Sequence, residues 1–357
     1  MKVVFRVDAS IWIGSGHVMR CLVLADALKK MHHDVSFACL PQAGDMIAYI
    51  EQRHHQVIKL TAESSPITPI SDTDYLGWLQ RSVAQDAVDF INQVNQADIV
   101  ITDHYAIAQE WQKIIKVALV CKLVAIDDLV RYHDADCILD QTLGRQAEEY
   151  SSETVVLAGT DYALLAPQFN LHRSKALTKT APINTPKVLV SMGGIDAPNA
   201  TLAVLTSLVG KVEATFTVLL SPRAPHYQQV VDWCNHHDDV THCDFSDNMA
   251  LLMLEHDIAI GAPGTTSWER ACLGLPSIII PLADNQKTIT TQLVKHGAVI
   301  ALTLNDVEQY ITNAFQTLLS SWKQYHNVNL ALCDGKGTNR VVAEFIRLKN
   351  ENHSNLQ

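Results

Sequence analysis

Short, unbroken apolar runs rich in Val and Ile recur along this chain, each followed by a longer segment with helical period. In the first half they are KVVFRVD (2–8), DVSFACL (34–40), ADIVITD (97–103), KLVAIDD (122–128) and ADCILD (135–140). In the second half they are KVLVSMG (187–193), TFTVLL (215–220), DIAIGA (257–262), PSIIIPL (276–282) and AVIAL (298–302). A strand with one wet face alternates apolar and polar residues. A run that is apolar throughout is covered on both faces, as in parallel sheets flanked by helices. The expected class is therefore α/β, with a doubly wound domain in each half. The polar stretch LHRSKALTKTAPINTP (171–186), punctuated by Pro182 and Pro186, reads as the linker. It divides the chain into an N-terminal domain over 1–170 and a C-terminal domain over 187–357. Doubly wound domains bind ligands at the carboxyl ends of their strands, so the two are expected to face each other across a cleft. The segment PITPISDTDYLGWLQ (66–80) reads as an irregular loop able to line it.

The chain has 357 residues, 48% hydrophobic and 18% charged, which supports large buried cores. A formal charge of −11 argues against non-specific nucleic-acid binding, which needs a basic surface. It leaves room for a phosphorylated small molecule, because helix N-termini hold phosphate without net positive charge. No run approaches the ~20 apolar residues of a membrane span. Arg6 and Asp8 interrupt the start where a signal peptide is apolar. These features predict a cytoplasmic protein with neither membrane nor nucleic-acid partner. The eight cysteines are scattered singly, without a C-x-x-C pair, and read as buried free thiols. CNHHDDVTHC (234–243) contains zinc-type ligands, but its spacing matches no common zinc pattern, and no metal or other cofactor is expected.

Three glycine-containing turns end strands. The first, IGSGHVMR (13–20), carries Gly14, Gly16 and His17, with Arg20 one turn further on. Glycine permits a tight bend and close anion approach. A helix N-terminus disfavours imidazolium, so His17 is expected to stay neutral near pH 7, the form a general base needs. The second turn, VSMGGIDAPN (190–199), presents Gly193 and Gly194 as an anion-friendly nest. The third, IAIGAPGTTSWERACLGLPSIIIPLADNQ (258–286), is the most informative. Gly264, Thr265, Thr266 and Ser267 can receive a diphosphate at a helix start, and Glu269 can accept hydrogen bonds from ribose hydroxyls. The next strand brings Asp284, Asn285 and Gln286 toward the same sheet edge. Neither a G-x-G-x-x-G fingerprint nor a Walker A sequence is present. Asp8, Asp103, Tyr105, Asp127 and Asp128 fall at or just beyond strand ends. There they can contact substrate, orient His17, or cap helices and turns.

RVDASIWIGSGHVMR, DHY (103–105), IDD (126–128), GTDYALLAPQF (159–169), VSMGG, GTTSWERACLGLPSIIIPLADNQ and DGKGTNRVV (334–342) occur in this order. Together they resemble the UDP-2,4-diacetamido-2,4,6-trideoxy-β-L-altropyranose hydrolase family of pseudaminic acid biosynthesis. The resemblance implies the GT-B fold, two Rossmann-like domains, related to the transferase that adds N-acetylglucosamine to lipid I. It implies a UDP-sugar substrate and UDP product, with water attacking the anomeric carbon, C–O cleavage and inversion, and no metal. His17 matches the family's base, Gly264–Ser267 its diphosphate turn and Glu269 its ribose contact. Two positions depart from the pattern. Pro263 stands where glycine is expected and removes a backbone donor. Ala166 stands where arginine is usual and removes a cation, which leaves room for a different sugar.

Gly14, Gly16, Arg20, Asp103, Tyr105, Gly193, Gly194, Asn285 and Gln286 complete the expected substrate-binding set. A GT-B glycosyltransferase with the same base, a hydrolysing epimerase and a non-catalytic UDP-sugar-binding protein are the competing readings. A lipid acceptor would need an apolar or basic mouth on the first domain. Ile11, Trp12 and Ile13 offer an apolar triplet there, which more often fills a cleft wall.

Overall fold

All ten apolar runs form strands, and three further strands join them. In the computed structural model residues 1–151 and 154–354 are described. The first sheet contains β1 (Lys2–Val7), β2 (Asp34–Cys39), β3 (Gln56–Lys59), β4 (Ile99–Asp103), β5 (Lys122–Ile126), β6 (Cys137–Asp140) and β7 (Val155–Ala158). Its order is β3-β2-β1-β4-β5-β6-β7, with every pair parallel. The second contains β8 (Lys187–Ser191), β9 (Thr215–Leu219), β10 (Val240–Cys243), β11 (Ile258–Gly261), β12 (Ser277–Ile279) and β13 (Val299–Ala301). Its order is β10-β9-β8-β11-β12-β13, again all parallel. β4 and β11 are buried along their whole length, as their unbroken apolar sequences require.

In each sheet the winding reverses once. β2 and β3 lie on one side of β1 and β4 to β7 on the other. β9 and β10 lie on one side of β8 and β11 to β13 on the other. Loops leaving the strands on either side of such a reversal diverge and open a crevice at the carboxyl ends. The histidine turn follows β1, and the two glycine turns of the second half follow β8 and β11.

The chain divides differently from the expectation based on its polar linker. One unit comprises Met1–Leu164 with Lys336–Gln357, and the other Leu165–Gly335. Residues 171–186 belong to the second unit because their cations are tied down there. Arg173 donates to the carbonyls of Cys272 (2.6 Å), Cys333 (2.7 Å) and Leu330 (2.7 Å). Lys179 donates to the carbonyls of Leu254 and His256. The last helix, Gly337–Ser354, returns to the first unit and buries Val341, Val342, Phe345 and Leu348 in its core with Phe5, Leu24 and Phe37. Truncating a core phenylalanine such as Phe345 to Ala costs about 3–5 kcal/mol. Gly337 permits this docking, since a Cβ there would meet the Ala163 carbonyl oxygen at 2.3 Å.

The eight cysteines are free thiols, seven buried and Cys243 partly so. The segment 66–80 is less irregular than expected: Tyr75–Leu79 forms a short helix capped by Asp74, which accepts from the Gly77 amide. Among the described residues no helix is long and apolar enough to cross a membrane.

Candidate active site

Ser10 organises the loop after β1. Its Oγ accepts from the amides of Trp12 and Ile13, each at 3.2 Å, and its carbonyl accepts from Gly14 at 2.9 Å. Gly14 closes the turn at φ +76°, a conformation that favours glycine. Ile11 and Trp12 lie on the surface of this loop. They are 47% and 46% exposed, because the turn points them away from the core. The helix Gly16–Lys30 follows, with His17 as its second residue and buried.

Val7 on β1 is in register with Asp103, the last residue of β4, so the turn leaves the sheet directly beside Asp103. His17 Nδ1 lies 3.2 Å from Asp103 Oδ1 and 3.3 Å from the Asp103 carbonyl oxygen. Both are acceptors, so the proton of the neutral ring sits on Nδ1 and the lone pair on Nε2. Burial holds the imidazole below the ordinary histidine range. The Asp103 carboxylate opposes that shift and the Arg20 guanidinium adds to it.

Arg20 grips Asp103 through two parallel bonds, Nε to Oδ2 and Nη2 to Oδ1, both 2.6 Å. The remaining Nη1 lies 3.5 Å from Asp128 Oδ2, which also accepts from the Tyr105 hydroxyl at 3.0 Å. Burial alone would raise the Asp103 pKa, but Arg20 and His17 outweigh it and keep the carboxyl ionised. Arg20, expected on the substrate side, is thus committed to Asp103. The Tyr105 and His17 rings meet in a T-shaped pair, with centroids 4.8 Å apart.

A second buried charge cluster supports the strand end. Arg6 bonds Asp86 through Nε (3.0 Å) and Nη2 (2.6 Å), and Asp8 through Nη1 (2.6 Å). Asp8 Oδ1 also accepts from the Leu40 amide at 2.7 Å. Asp8 Oδ2 makes no hydrogen bond and faces His104 Nε2 at 3.9 Å. His104 Nδ1 accepts from the Ala106 amide at 3.1 Å, so Nε2 carries the proton. Burial pushes His104 down to about 4. Asp127 is bound by the Arg131 amide and Nε and by the Tyr150 hydroxyl, a turn-forming arrangement.

In the second unit, Ser191 at the end of β8 is in register with Gly261 at the end of β11. A Cβ at Gly261 would meet the Ser191 carbonyl oxygen at 2.2 Å, so only glycine lets these strands meet. Gly193, at φ +93°, follows β8 and has no atom within 4 Å of the position a Cβ would take. The helix behind it, Ala200–Leu208, is already capped. Asp196 accepts from the Ala200 and Thr201 amides at 2.8 and 2.9 Å, so the open part of this nest is Gly193–Gly194.

Gly264 precedes the helix Thr265–Cys272, whose first N–H groups have no intrahelical acceptor. Ser267 faces inward, with Oγ accepting from the Gly264 amide at 3.2 Å. Arg270, which the sequence reading passed over, locks the turn from beneath. Its Nη2 donates to the Ala262 carbonyl (3.1 Å) and Ser267 Oγ (3.2 Å). Glu269 is half-buried, and burial pushes its carboxyl up to about 7 against the opposing charge of Arg270. The short helical turn Asp284–Gln286 follows β12. Asn285 is exposed, and Gln286 Oε1 accepts from the Leu282 amide at 2.7 Å.

The histidines of CNHHDDVTHC are engaged separately. His236 Nδ1 lies 2.6 Å from the Asp232 carbonyl oxygen, His237 stacks on Trp233 at 3.7 Å, and His242 packs edgewise on Tyr227.

Residues 189–333 match the glycosyltransferase family 28 C-terminal domain. MurG of Acinetobacter baumannii superposes with a TM-score of 0.65 at 14% identity, over 97% of this chain and 100% of that one. The fold is GT-B. A spinosyn rhamnosyltransferase complexed with thymidine diphosphate is similarly alike, with a TM-score of 0.64 at 15% identity, over 96% and 100% of the two chains. In sequence, the chain is 27% identical over 303 residues to UDP-2,4-diacetamido-2,4,6-trideoxy-beta-L-altropyranose hydrolase of Campylobacter jejuni. That alignment covers 83% of this chain and 97% of the relative. The resemblance carried by the motifs is supported along most of the chain.

Proposed function

We propose that this GT-B chain is a nucleotide-sugar hydrolase, acting on a UDP-linked 2,4-diacetamido-2,4,6-trideoxy sugar of the L-altrose type in pseudaminic acid biosynthesis. The likeness to the Campylobacter enzyme supports the substrate. The observation that carries the chemistry is the His17–Asp103 pair, which leaves Nε2 unprotonated on a ring kept neutral by burial.

His17 Nε2 takes a proton from water as the water oxygen bonds to the anomeric carbon. The bond from that carbon to the diphosphate oxygen breaks, its electron pair leaving with UDP, and the configuration inverts. Asp103 positions the imidazole and stabilises the imidazolium that forms, with Arg20 keeping Asp103 ionised. The second unit holds UDP, with its diphosphate at Gly264–Ser267 and Gly193–Gly194 and its ribose at Glu269. Amides at the helix start stabilise the charge that grows on the leaving group, usually the largest single contribution in such sites. General-base help adds a factor of ~10²–10⁴.

A glycosyltransferase is the second reading, favoured by the half-exposed Ile11 and Trp12 just before His17, an apolar surface suited to a lipid acceptor. Incubation with the UDP-sugar and no acceptor separates the two. UDP release by chromatography supports hydrolysis, and an inert mixture with protein that binds UDP supports transfer.

A further inference from the structure

Tyr105 is the centre of a ring cluster that reaches beyond His17. Tyr75 lies 4.9 Å from it and Trp78 5.8 Å, centroid to centroid, and Tyr75 and Trp78 meet each other at 5.0 Å. Both come from the short helix Tyr75–Leu79, and several bonds hold that helix in place. Asp74 caps it, Gln42 Nε2 donates to the Trp78 carbonyl at 3.3 Å, and the Gln80 amide exchanges two bonds with Ile67, each 2.7 Å. Of the four rings, His17 is 9% exposed and Tyr105 and Trp78 each 6%, whereas Tyr75 is half-buried. Tyr75 is therefore the most exposed ring of the cluster, joined to the imidazole through Tyr105.

We infer that Tyr75 is a specificity-determining residue that packs against the sugar of the bound nucleotide-sugar. This rests on the nucleotide-sugar substrate proposed above and deepens that reading. A 2,4-diacetamido-2,4,6-trideoxy sugar has exchanged three hydroxyl positions for two acetamido groups and a methyl, so much of its surface is apolar. An aromatic ring gains by covering such methyl and ring C–H groups. It gains less from a sugar bearing a free 6-hydroxyl, which must be desolvated without a partner. Trp78 and Tyr105 back the Tyr75 ring, which lowers the ordering cost of that contact.

The test is a set of dissociation constants measured by calorimetry in a His17→Gln background, where turnover does not interfere. The probes are UDP, UDP-2,4-diacetamido-2,4,6-trideoxy-β-L-altrose and UDP-N-acetylglucosamine. Tyr75→Ala is expected to weaken the trideoxy probe about tenfold, UDP-N-acetylglucosamine less, and UDP by under about twofold. Tyr75→Phe keeps the aromatic face and is expected to restore trideoxy binding to within about twofold. Equal weakening of UDP and the trideoxy probe would mean a purely structural role and overturn the inference. So would an unchanged trideoxy affinity, or no binding of that probe by protein that still binds UDP. Turnover by the unaltered protein is read separately. A chain that binds the trideoxy probe through Tyr75 but releases no UDP loses the hydrolase reading and keeps this one.

Discussion

His17 Nδ1 stands 3.2 Å from Asp103 Oδ1, and the same carboxylate is held by two 2.6 Å bonds from Arg20. An imidazole, an ionised carboxylate and the guanidinium that fixes that carboxylate are thus joined within the first unit.

His17→Ala removes the proposed base and leaves the turns proposed to hold UDP untouched. Turnover is expected to fall about 10²–10⁴-fold, with UDP affinity by calorimetry within about twofold of the unaltered protein. A parallel loss of UDP binding would place His17 in binding instead.

Arg20→Met leaves Asp103 as a buried charge without its main partner. Breaking a buried pair costs about 3–5 kcal/mol, whereas replacing both members with apolar residues is often close to neutral. The double variant Arg20→Met with Asp103→Leu is therefore expected to recover much of the lost stability in urea unfolding while remaining inactive. Recovery of activity with stability would refute the positioning role of Asp103.

The pH dependence has two signatures. His17 is held below the ordinary histidine range, so kcat/KM of the Glu269→Gln protein is expected to rise with pH through a group titrating below ~6.5. His104, pushed down to about 4, stays neutral in the fold while the unfolded chain takes up a proton. Its contribution to stability is complete above pH ~6.5 and is lost as pH falls toward 4, roughly 3 kcal/mol in all. Urea midpoints over that range should fall more steeply for the unaltered protein than for His104→Gln.

Glu269 behaves oppositely. Its carboxyl is pushed up to about 7, so the unliganded fold holds a proton that the unfolded chain releases near 4.5, and stability declines as pH rises between those values. Glu269→Gln is expected to stabilise the unliganded protein at pH 8. It should also weaken UDP about tenfold and 2′-deoxy-UDP less, because the proposed ribose contact is lost. Equal affinities for both nucleotides in both proteins would remove Glu269 from the ribose.

The fold was legible because strands covered on both faces leave unbroken apolar runs. The three strands that escaped, β3, β7 and β10, are sheet edges with partly exposed residues: β3 and β10 lack such runs, and β7 offers only the four residues VVLA. The return of the last helix to the first unit was not legible. An amphipathic pattern states that Phe345 is buried but not in which core. At the candidate site, the placing of the glycine turns, His17 and Glu269 just beyond strand ends could be read from local spacing. The bond between Arg20 and Asp103 could not, because it joins residues 83 apart that meet only through the β1–β4 register. Arg270 left a signal in its helix, a cation one residue after Glu269, but its use as a lock beneath the turn depends on burial.

The most direct test of the central claim is turnover of UDP-2,4-diacetamido-2,4,6-trideoxy-β-L-altrose in oxygen-18 water, with products read by mass spectrometry before isotope exchange. Water attacking the anomeric carbon puts one heavy oxygen in the free sugar and none in UDP, and His17→Ala slows its appearance. Heavy oxygen in UDP would mean cleavage at phosphorus and would contradict the account.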